Sequence, residues 1–543
     1  MAAAMMSRRV MMLRKIKALG LSRQSALVLG VALGVALLSV FITETLPLMI
    51  LDLREQMGLS TEQANLIRFL PATAGLLVAP SAGYIADQWG ARTLLVVSLA
   101  VVCCGGFVIA ISHSIGILIA GLLITGIGTM GSSVTGYTLL TTTASNSKQL
   151  GLFIAAWGIT ANIGYLLSPP VGSWVLVTSQ YGWTSIGILW IVSFLGLLVL
   201  SCYSLDQARP AEVRQQSQVG GPAQQSPVDW PWLLNAGFIF SLTTAIPVID
   251  VLKPGLTGLL ISIDIAFIVL LCRQISRSPR VRSELHFMAI PAVLPGLLAL
   301  AAICLVDWNY FSERFIGLRY LFSLTQTAAW LTPANFSGLI GASAFGVMSL
   351  RFGLIRTTST GMLLWLLTPC IFLFATVSTP VWFIAGSVAL FTMMEALVFA
   401  GLQSTVTEMI PKKSLGIFGS LMIGVNTIAE SAGGALTSDV MLNTYEESLR
   451  SRLEPLPLSG PLTEKVLKWL TEGKSHLLLR GEGGIPTVIF DQSIRRGSPP
   501  RLEAYVNCLH ALGTLCIAMI ILSGLFYAGS CLLRGRSAAQ INP

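Results

Sequence analysis

Apolar runs of about 20 residues recur along this chain, separated by short polar turns. One such run is what an α-helix needs to cross the hydrocarbon core of a bilayer. In lipid, only a helix or a closed barrel satisfies its own backbone hydrogen bonds. The runs lie at Ala26–Ile50, Phe69–Ala86, Leu94–Ile111, Ile115–Tyr137, Leu152–Val177 and Ile186–Tyr203. A stretch rich in Gln, Pro and Ser follows at 206–229 and reads as a solvated linker. Further runs follow at Leu233–Val251, Leu256–Cys272, Phe287–Val306, Leu331–Leu350, Thr360–Val377, Trp382–Gln403 and Leu415–Leu436. A long polar stretch, Thr437–Asn507, precedes the last run, Leu509–Leu533. The expectation is an all-α integral membrane protein with about fourteen transmembrane helices. Asp307–Trp330 reads either as an amphipathic interfacial piece or as an extension of the ninth span.

Composition agrees. Charged residues make up 11% of the chain and hydrophobic ones 54%, against about 25% charged in a soluble domain. So few charges cannot cover a water-facing surface. The net charge of +9 is spread between apolar runs rather than clustered on one face, which argues against nucleic acid as a partner. Nine cysteines, lying mostly within apolar runs and without metal-ligand spacing, predict neither a metal site nor a disulfide framework. The basic start (Arg8, Arg9, Arg14, Lys15, Lys17) lacks a small-residue cleavage site and reads as a cytoplasmic tail.

Charge placement orients the spans. With the N-terminus cytoplasmic, Arg92, Lys148, Arg209 and Arg214 fall on the cytoplasmic side, as does the cluster Arg273, Arg277, Arg280 and Arg282. Arg351, Arg356, Lys412, Lys413, Arg534 and Arg536 follow them. The short outer loops hold only Arg54, Lys253, Arg314 and Arg319. This is the positive-inside pattern, and one miscounted span would invert everything after it.

The most specific motif is Gly83-Tyr-Ile-Ala-Asp87-Gln-Trp-Gly90-Ala-Arg92, in the tight turn after the second span. Gly83 permits close helix contact and Gly90 a backbone conformation closed to other residues. Asp87 can accept hydrogen bonds from a facing helix N-terminus and pair with an Arg. The motif resembles the signature loop of the major facilitator superfamily. A related pattern, Gly346-Val-Met-Ser-Leu-Arg351-Phe-Gly353-Leu-Ile-Arg356, repeats the glycine spacing with Leu350 in place of the acid, as two homologous halves would predict. The fifth span carries Gly158, Gly164, Ser168, Pro169, Pro170 and Gly172, and resembles the Gly- and Pro-rich fifth-helix motif of the superfamily's antiporters. Thr43-Glu44-Thr45-Leu46-Pro47 in the first span is similar to an element of twelve-span drug and sugar exporters. The span count and the long outer stretch resemble the fourteen-span drug:proton antiporters.

The resemblance implies a secondary transporter, with two six-helix bundles rocking about a central cavity. It divides the chain into a cytoplasmic tail (1–25), an N-terminal bundle (26–205), a linker (206–229), two additional helices (230–273), a C-terminal bundle (285–533) and a cytoplasmic tail (534–543). The outer stretch 437–507 is an external loop of the C-terminal bundle and a possible partner site through the amphipathic segment Thr463–Gly473. The implied partners are the bilayer, a small-molecule substrate and protons or another ion, in a cell (inner or plasma) membrane. No phosphate loop is present: around Gly473-Lys474-Ser475 the first glycine of that motif is Lys468. No cofactor is expected. The alternative class is a membrane enzyme or sensor, but the four histidines (His113, His286, His476, His510) lie on scattered elements.

Intramembrane charges are expensive, so each is a functional candidate. Glu44, Arg68, Glu395 and Glu430 are the candidates for ion coupling. Glu44 and Glu395 come first, because the resemblance lines the cavity with the first and twelfth spans. Arg68 reads as their counter-ion or as a side chain snorkelling to the interface. Asp264 reads as structural, because spans seven and eight are peripheral in the resemblance. The antiporters' fourth-helix Arg and Gln are replaced here by Leu122 and Thr125, so coupling by the usual route is not expected.

Overall fold

A computed structural model describes residues 23–57, 61–206, 230–252, 254–305, 324–453 and 499–541. The described residues are helical, with no strand among them. We number the helices α1 (Arg23–Met57), α2 (Thr61–Ile85), α3 (Ala91–Ala110), α4 (Ile115–Thr143), α5 (Ser147–Thr178) and α6 (Thr184–Asp206). Next come α7 (Trp230–Leu252), α8 (Pro254–Arg277), the short α9 (Pro279–Glu284) and α10 (Val293–Cys304). The last are α11 (Leu324–Phe352), α12 (Leu354–Leu367), α13 (Val381–Thr407), α14 (Leu415–Leu453) and α15 (Pro499–Ile541). Among the described residues, 10 stretches are long and apolar enough to cross a membrane; one of them, Ile67–Ala110, runs through the turn between α2 and α3.

The chain divides into two compact units. The first comprises Met1–Leu294, Phe345–Leu354 and Gln403–Ile428. In it α3 packs against α4 and α6, α1 against α5, α4 and α6, α2 against α4 and α7, and α7 against α8. Small residues set these approaches. A Cβ on Gly128 of α4 would stand 2.6 Å from the Val102 amide of α3. A Cβ on Gly126 would meet the Pro71 carbonyl of α2, and one on Gly237 of α7 the Leu77 carbonyl. Without a hydrophobic drive between helices in lipid, such close backbone contact is what holds them together. Backbone cannot step aside as a side chain can. Gly237→Ala should therefore lower the Tm of the purified protein, by about 1–3 kcal/mol of overpacking. Gly258→Ala, where a Cβ meets nothing within 4 Å, should leave Tm level or raise it. Equal effects at the two sites would contradict this packing.

The second unit comprises Pro295–Ala344, Ile355–Leu402 and Ala429–Pro543. Here Ser337 of α11 donates to the Ala389 carbonyl of α13 (2.6 Å), and Ser523 of α15 to the Ala299 carbonyl of α10 (2.8 Å).

Several expected boundaries change. Thr437–Leu453, expected as external loop, continues α14 without a break. No Pro or Gly interrupts it, Glu446 pairs with Arg450 one turn on (3.3 Å), and Leu449 is fully buried. The start of α15 likewise takes residues from the other end of that loop: Tyr505 stacks on Tyr445 (centroids 5.0 Å apart) and Asn507 donates to Ser448 (2.9 Å). Hydropathy had missed both because it reads lipid exposure, not helicity. The expected tail 534–543 is helical to Ile541. The ninth span shortens to α10, with a 3₁₀ turn, His286–Ala289, and then Pro291 ahead of it; the proline lacks the amide that would carry a helical hydrogen bond back into that turn. Pro369 similarly ends α12 and hands the chain to a 3₁₀ segment, Pro369–Phe374. The tenth span begins at Leu324, not Leu331. The linker 207–229, most of the N-terminal tail and Thr463–Gly473 lie outside the described residues.

Candidate functional site: the latch at the start of α14

The turn between α2 and α3 is one wide π-helical turn, Ala86–Gly90. Gly90 ends it at φ 95°, in the left-handed region that glycine enters without strain. The extra width of the turn and the compact Gly83 bring the Asp87 carboxylate to the start of α14. A Cβ on Gly83 would overlap the Gly416 carbonyl. Asp87 Oδ1 accepts from the Gly416 amide at 2.7 Å, and Oδ2 from the Ile417 amide at 2.9 Å. Those amides are among the four at a helix start that have no intrahelical partner, and they sit at the positive end of the helix dipole. Burial pushes the Asp87 carboxyl up to about 7; the two amides pull against it and the like charge of Glu284 adds to it. Both charge states of Asp87 are therefore populated near neutral pH.

The repeated motif explains the missing acid in its second copy. Gly353 also has positive φ, 86°. This turn packs on the start of α5, where a Cβ on Gly151 would stand 2.7 Å from Leu354 and 3.2 Å from Ser349. The start of α5 caps itself: Asn146 accepts from the Gln149 amide (2.9 Å), and the Gln149 side chain accepts from the Ser145 amide (2.9 Å). Asn146 is thus the N-cap and satisfies the Gln149 amide, so one start amide of α5 finds its acceptor locally rather than from position 350.

Other contacts close around the same helix ends. The Tyr137 and Thr407 hydroxyls share a hydrogen bond (2.7 Å), Ser147 donates to Glu408, and Lys412 Nζ donates to the Ala144 carbonyl (3.4 Å). On the other side Arg280 donates to the Tyr84 hydroxyl (2.8 Å), and the Tyr84 ring meets Trp232 edge-on. Sequence reading missed Tyr137, Ser147, Thr407 and Glu408. The basic residues beside Glu408 marked only topology, and nothing in the spacing pairs a Glu near Pro411 with Ser147.

Gly164 and Gly172 of the fifth-helix motif bring α5 against α1. A Cβ on Gly164 would stand 2.7 Å from the Leu37 carbonyl, and one on Gly172 3.2 Å from Thr45. Thr45 in turn accepts from the Trp190 indole (2.9 Å). α5 stays helical through Pro169 and Pro170, and Ser168 donates to the Gly164 carbonyl at 2.5 Å. Gly158 is half-buried on the same helix. Leu122 and Thr125 on α4 are both fully buried, Thr125 against Gly105 of α3, so these replacements serve helix packing.

Among the coupling candidates, Glu395 on α13 and Glu430 on α14 both lie within electrostatic reach of the buried Cys304 thiol in the second unit. Glu395 is half-buried and Glu430 exposed. Glu44 is half-buried on α1, in the first unit, and Arg68 on α2 is exposed. Among the described residues no cluster of His, Cys, Asp and Glu could hold a metal ion.

A multi-pass helical membrane protein whose paired glycine turns pack on helix starts defines a transporter scaffold. The chain belongs to the major facilitator superfamily, whose family model matches residues 29–438. The family and its structural neighbours are transporters, not enzymes. The chain is 30% identical over 134 residues to "Multidrug resistance protein B homolog" of Mycobacterium tuberculosis strains, a match spanning 25% of this chain and 24% of that protein. The human organic anion transporter MFSD10 (TETRAN) superposes with a TM-score of 0.54 at 14% identity, covering 92% of this chain and 100% of that one. A bacterial homologue of the iron transporter ferroportin in its outward-facing state gives 0.52 at 12% identity, covering 94% and 100%. The proton:xylose symporter XylE gives 0.51 at 12% identity, covering 92% and 94%.

Proposed function

We propose that this chain is a secondary active exporter of a small organic or amphipathic molecule, working by alternating access on a proton gradient. The observation that carries the reading is the double acceptance of the Gly416 and Ile417 amides by Asp87. Such a contact gives one conformation a stability that a second, unlatched one lacks, as a two-state transporter requires. The drug-resistance name of the Mycobacterium tuberculosis relatives supports efflux of drug-like compounds. Counting the two helices within Ile67–Ala110 separately, and adding α7 and α11, supports thirteen spans, and the shorter apolar α10 stands for the fourteenth on this reading. On this reading 26–205 and 285–533 form the two bundles, 230–273 is an additional hairpin, both termini are cytoplasmic, and the membrane is the cell (inner or plasma) membrane. Glu44, Glu395 and Glu430 are the proton carriers. The exposure of Arg68 favours snorkelling over a counter-ion role.

The test is accumulation of candidate drugs and metabolites in inverted vesicles, with and without a pH gradient, after an export screen of overexpressing and deletion strains. Gradient-dependent accumulation supports the reading. Accumulation that ignores every ion gradient points instead to a facilitator. Topology is checked separately. A membrane-impermeant thiol reagent added from outside should modify a cysteine at Ser475 and spare one at Ser276, and the reverse pattern would invert the orientation.

A further inference from the structure

α7 and α8 pack on one another as an antiparallel pair, and a polar seam runs between them. Toward the Arg273 end, Asn235 donates to the Phe267 carbonyl and to the Gln274 side chain, both at 3.1 Å. Phe238 stacks on Phe267 in the next turn (5.3 Å between centroids). Beyond them, near the middle of α8, Asp264 faces inward and is only 7% exposed, while Leu259, Ile261, Ile265 and Val269 point outward. Its Oδ2 lies 2.8 Å from Thr243 Oγ1, whose single hydrogen is shared with the Ile239 carbonyl, also at 2.8 Å. Its Oδ1 is buried and has no hydrogen-bond partner among the described residues, and the same is true of Asn235 Oδ1.

Among the described residues, no cation faces this carboxyl. The one ionisable residue of α7, Asp250, lies two turns along the helix from Thr243, and the charged residues of α9 (Arg280, Arg282 and Glu284) lie beyond the far end of α8. The other ionisable residues of α8 (Cys272, Arg273, Arg277) begin two turns beyond Asp264. Of the neighbours of α7, α2 offers Glu62, Arg68 and Tyr84, with Tyr84 held by Arg280. The part of α14 beside Phe240, Leu415–Ile428, has no ionisable side chain. A carboxylate with one hydroxyl donor and no counter-ion is very costly in a membrane helix. Most buried polar atoms in proteins are paired, so a bare carboxylate oxygen calls for an explanation. The position suits a carboxyl that carries its own neutralising proton.

We propose that Asp264 is a proton-binding site of the transporter, built by the α7–α8 hairpin and separate from Glu44, Glu395 and Glu430. Protonated, it is neutral and keeps its bond to Thr243. Ionised, it has that shared hydroxyl as its one donor among the described residues.

The test needs no transported substrate, so its outcome is independent of the export reading. The purified full-length protein is treated with dicyclohexylcarbodiimide, a hydrophobic reagent that modifies protonated carboxyls from an apolar phase, at pH values from 5 to 9. Adducts are mapped by peptide mass spectrometry. Asp264 should be labelled at low pH, with a yield falling by at least about tenfold across the range as the carboxyl ionises. In Thr243→Val the fall should move to higher pH, because the ionised form has lost its donor. The infrared band of protonated carboxyl groups should shrink in Asp264→Asn. An Asp264 unlabelled at pH 5, a yield constant across the range, or an unmoved profile in Thr243→Val would each overturn the proposal.

Discussion

Asp87→Asn should cut transport steeply while leaving expression and Tm close to the parent's. The substitution keeps one acceptor oxygen and puts an NH2 group against the other α14 amide, so one helix-start donor loses its partner and faces a second donor. Leaving such a donor unmet costs about 1–3 kcal/mol, which shifts a two-state equilibrium roughly 5- to 150-fold. Folding is spared, because α2 and α3 are held by their own packing and not by this turn. The measurement is initial transport rate per folded molecule, beside thermal melting of the same preparation. An unchanged rate would reduce the motif to a structural turn; a collapse in Tm would show that the contact belongs to folding rather than to switching.

Glu44→Gln together with Glu395→Gln should abolish dependence on a pH gradient while leaving downhill movement of substrate intact. A half-buried carboxylate that is neutral in one conformation and ionised in the other ties proton affinity to shape. Gln keeps the volume and the polarity and loses the proton. Uptake at equal and unequal pH, for parent and double variant, separates the outcomes. A parent indifferent to the gradient uses another ion or none. A double variant that still concentrates substrate moves the coupling elsewhere, and Glu430, which shares the neighbourhood of Cys304 with Glu395, becomes the next residue to replace.

The transmembrane scaffold and the latch were legible in the sequence to different depths. Long apolar runs marked an all-helical membrane protein, because hydropathy integrates over a whole helix, and 10 stretches among the described residues are long and apolar enough to cross. Gly90 was legible as a positive-φ residue, and Asp87 as a helix-start acceptor, because both roles are local chemistry. The partner of Asp87 was not. That α14, more than three hundred residues on, supplies the two amides is a fact of tertiary packing. Leu350 looked like a plain loss of the acid. The Asn146 cap on the Gln149 amide shows that the start of α5 supplies an acceptor of its own, and that cap was present in the sequence as Asn-x-x-Gln at a helix start. Asp264 was read as structural from its place in a peripheral hairpin, and only the unpaired Oδ1 reopens the question. The helical stretch Thr437–Leu453 was missed because its polar composition suits water as well as a loop does.

That stretch makes α14 a single rod. At 1.5 Å per residue, a helix from Leu415 to Leu453 is about 58 Å long, nearly twice a hydrocarbon core of about 30 Å. Its start carries the amides held by Asp87. Thr437–Leu453 alone rises about 25 Å, more than four turns, so a segment polar enough to pass for a loop gives the helix a solvated extension almost as long as the hydrocarbon core is thick.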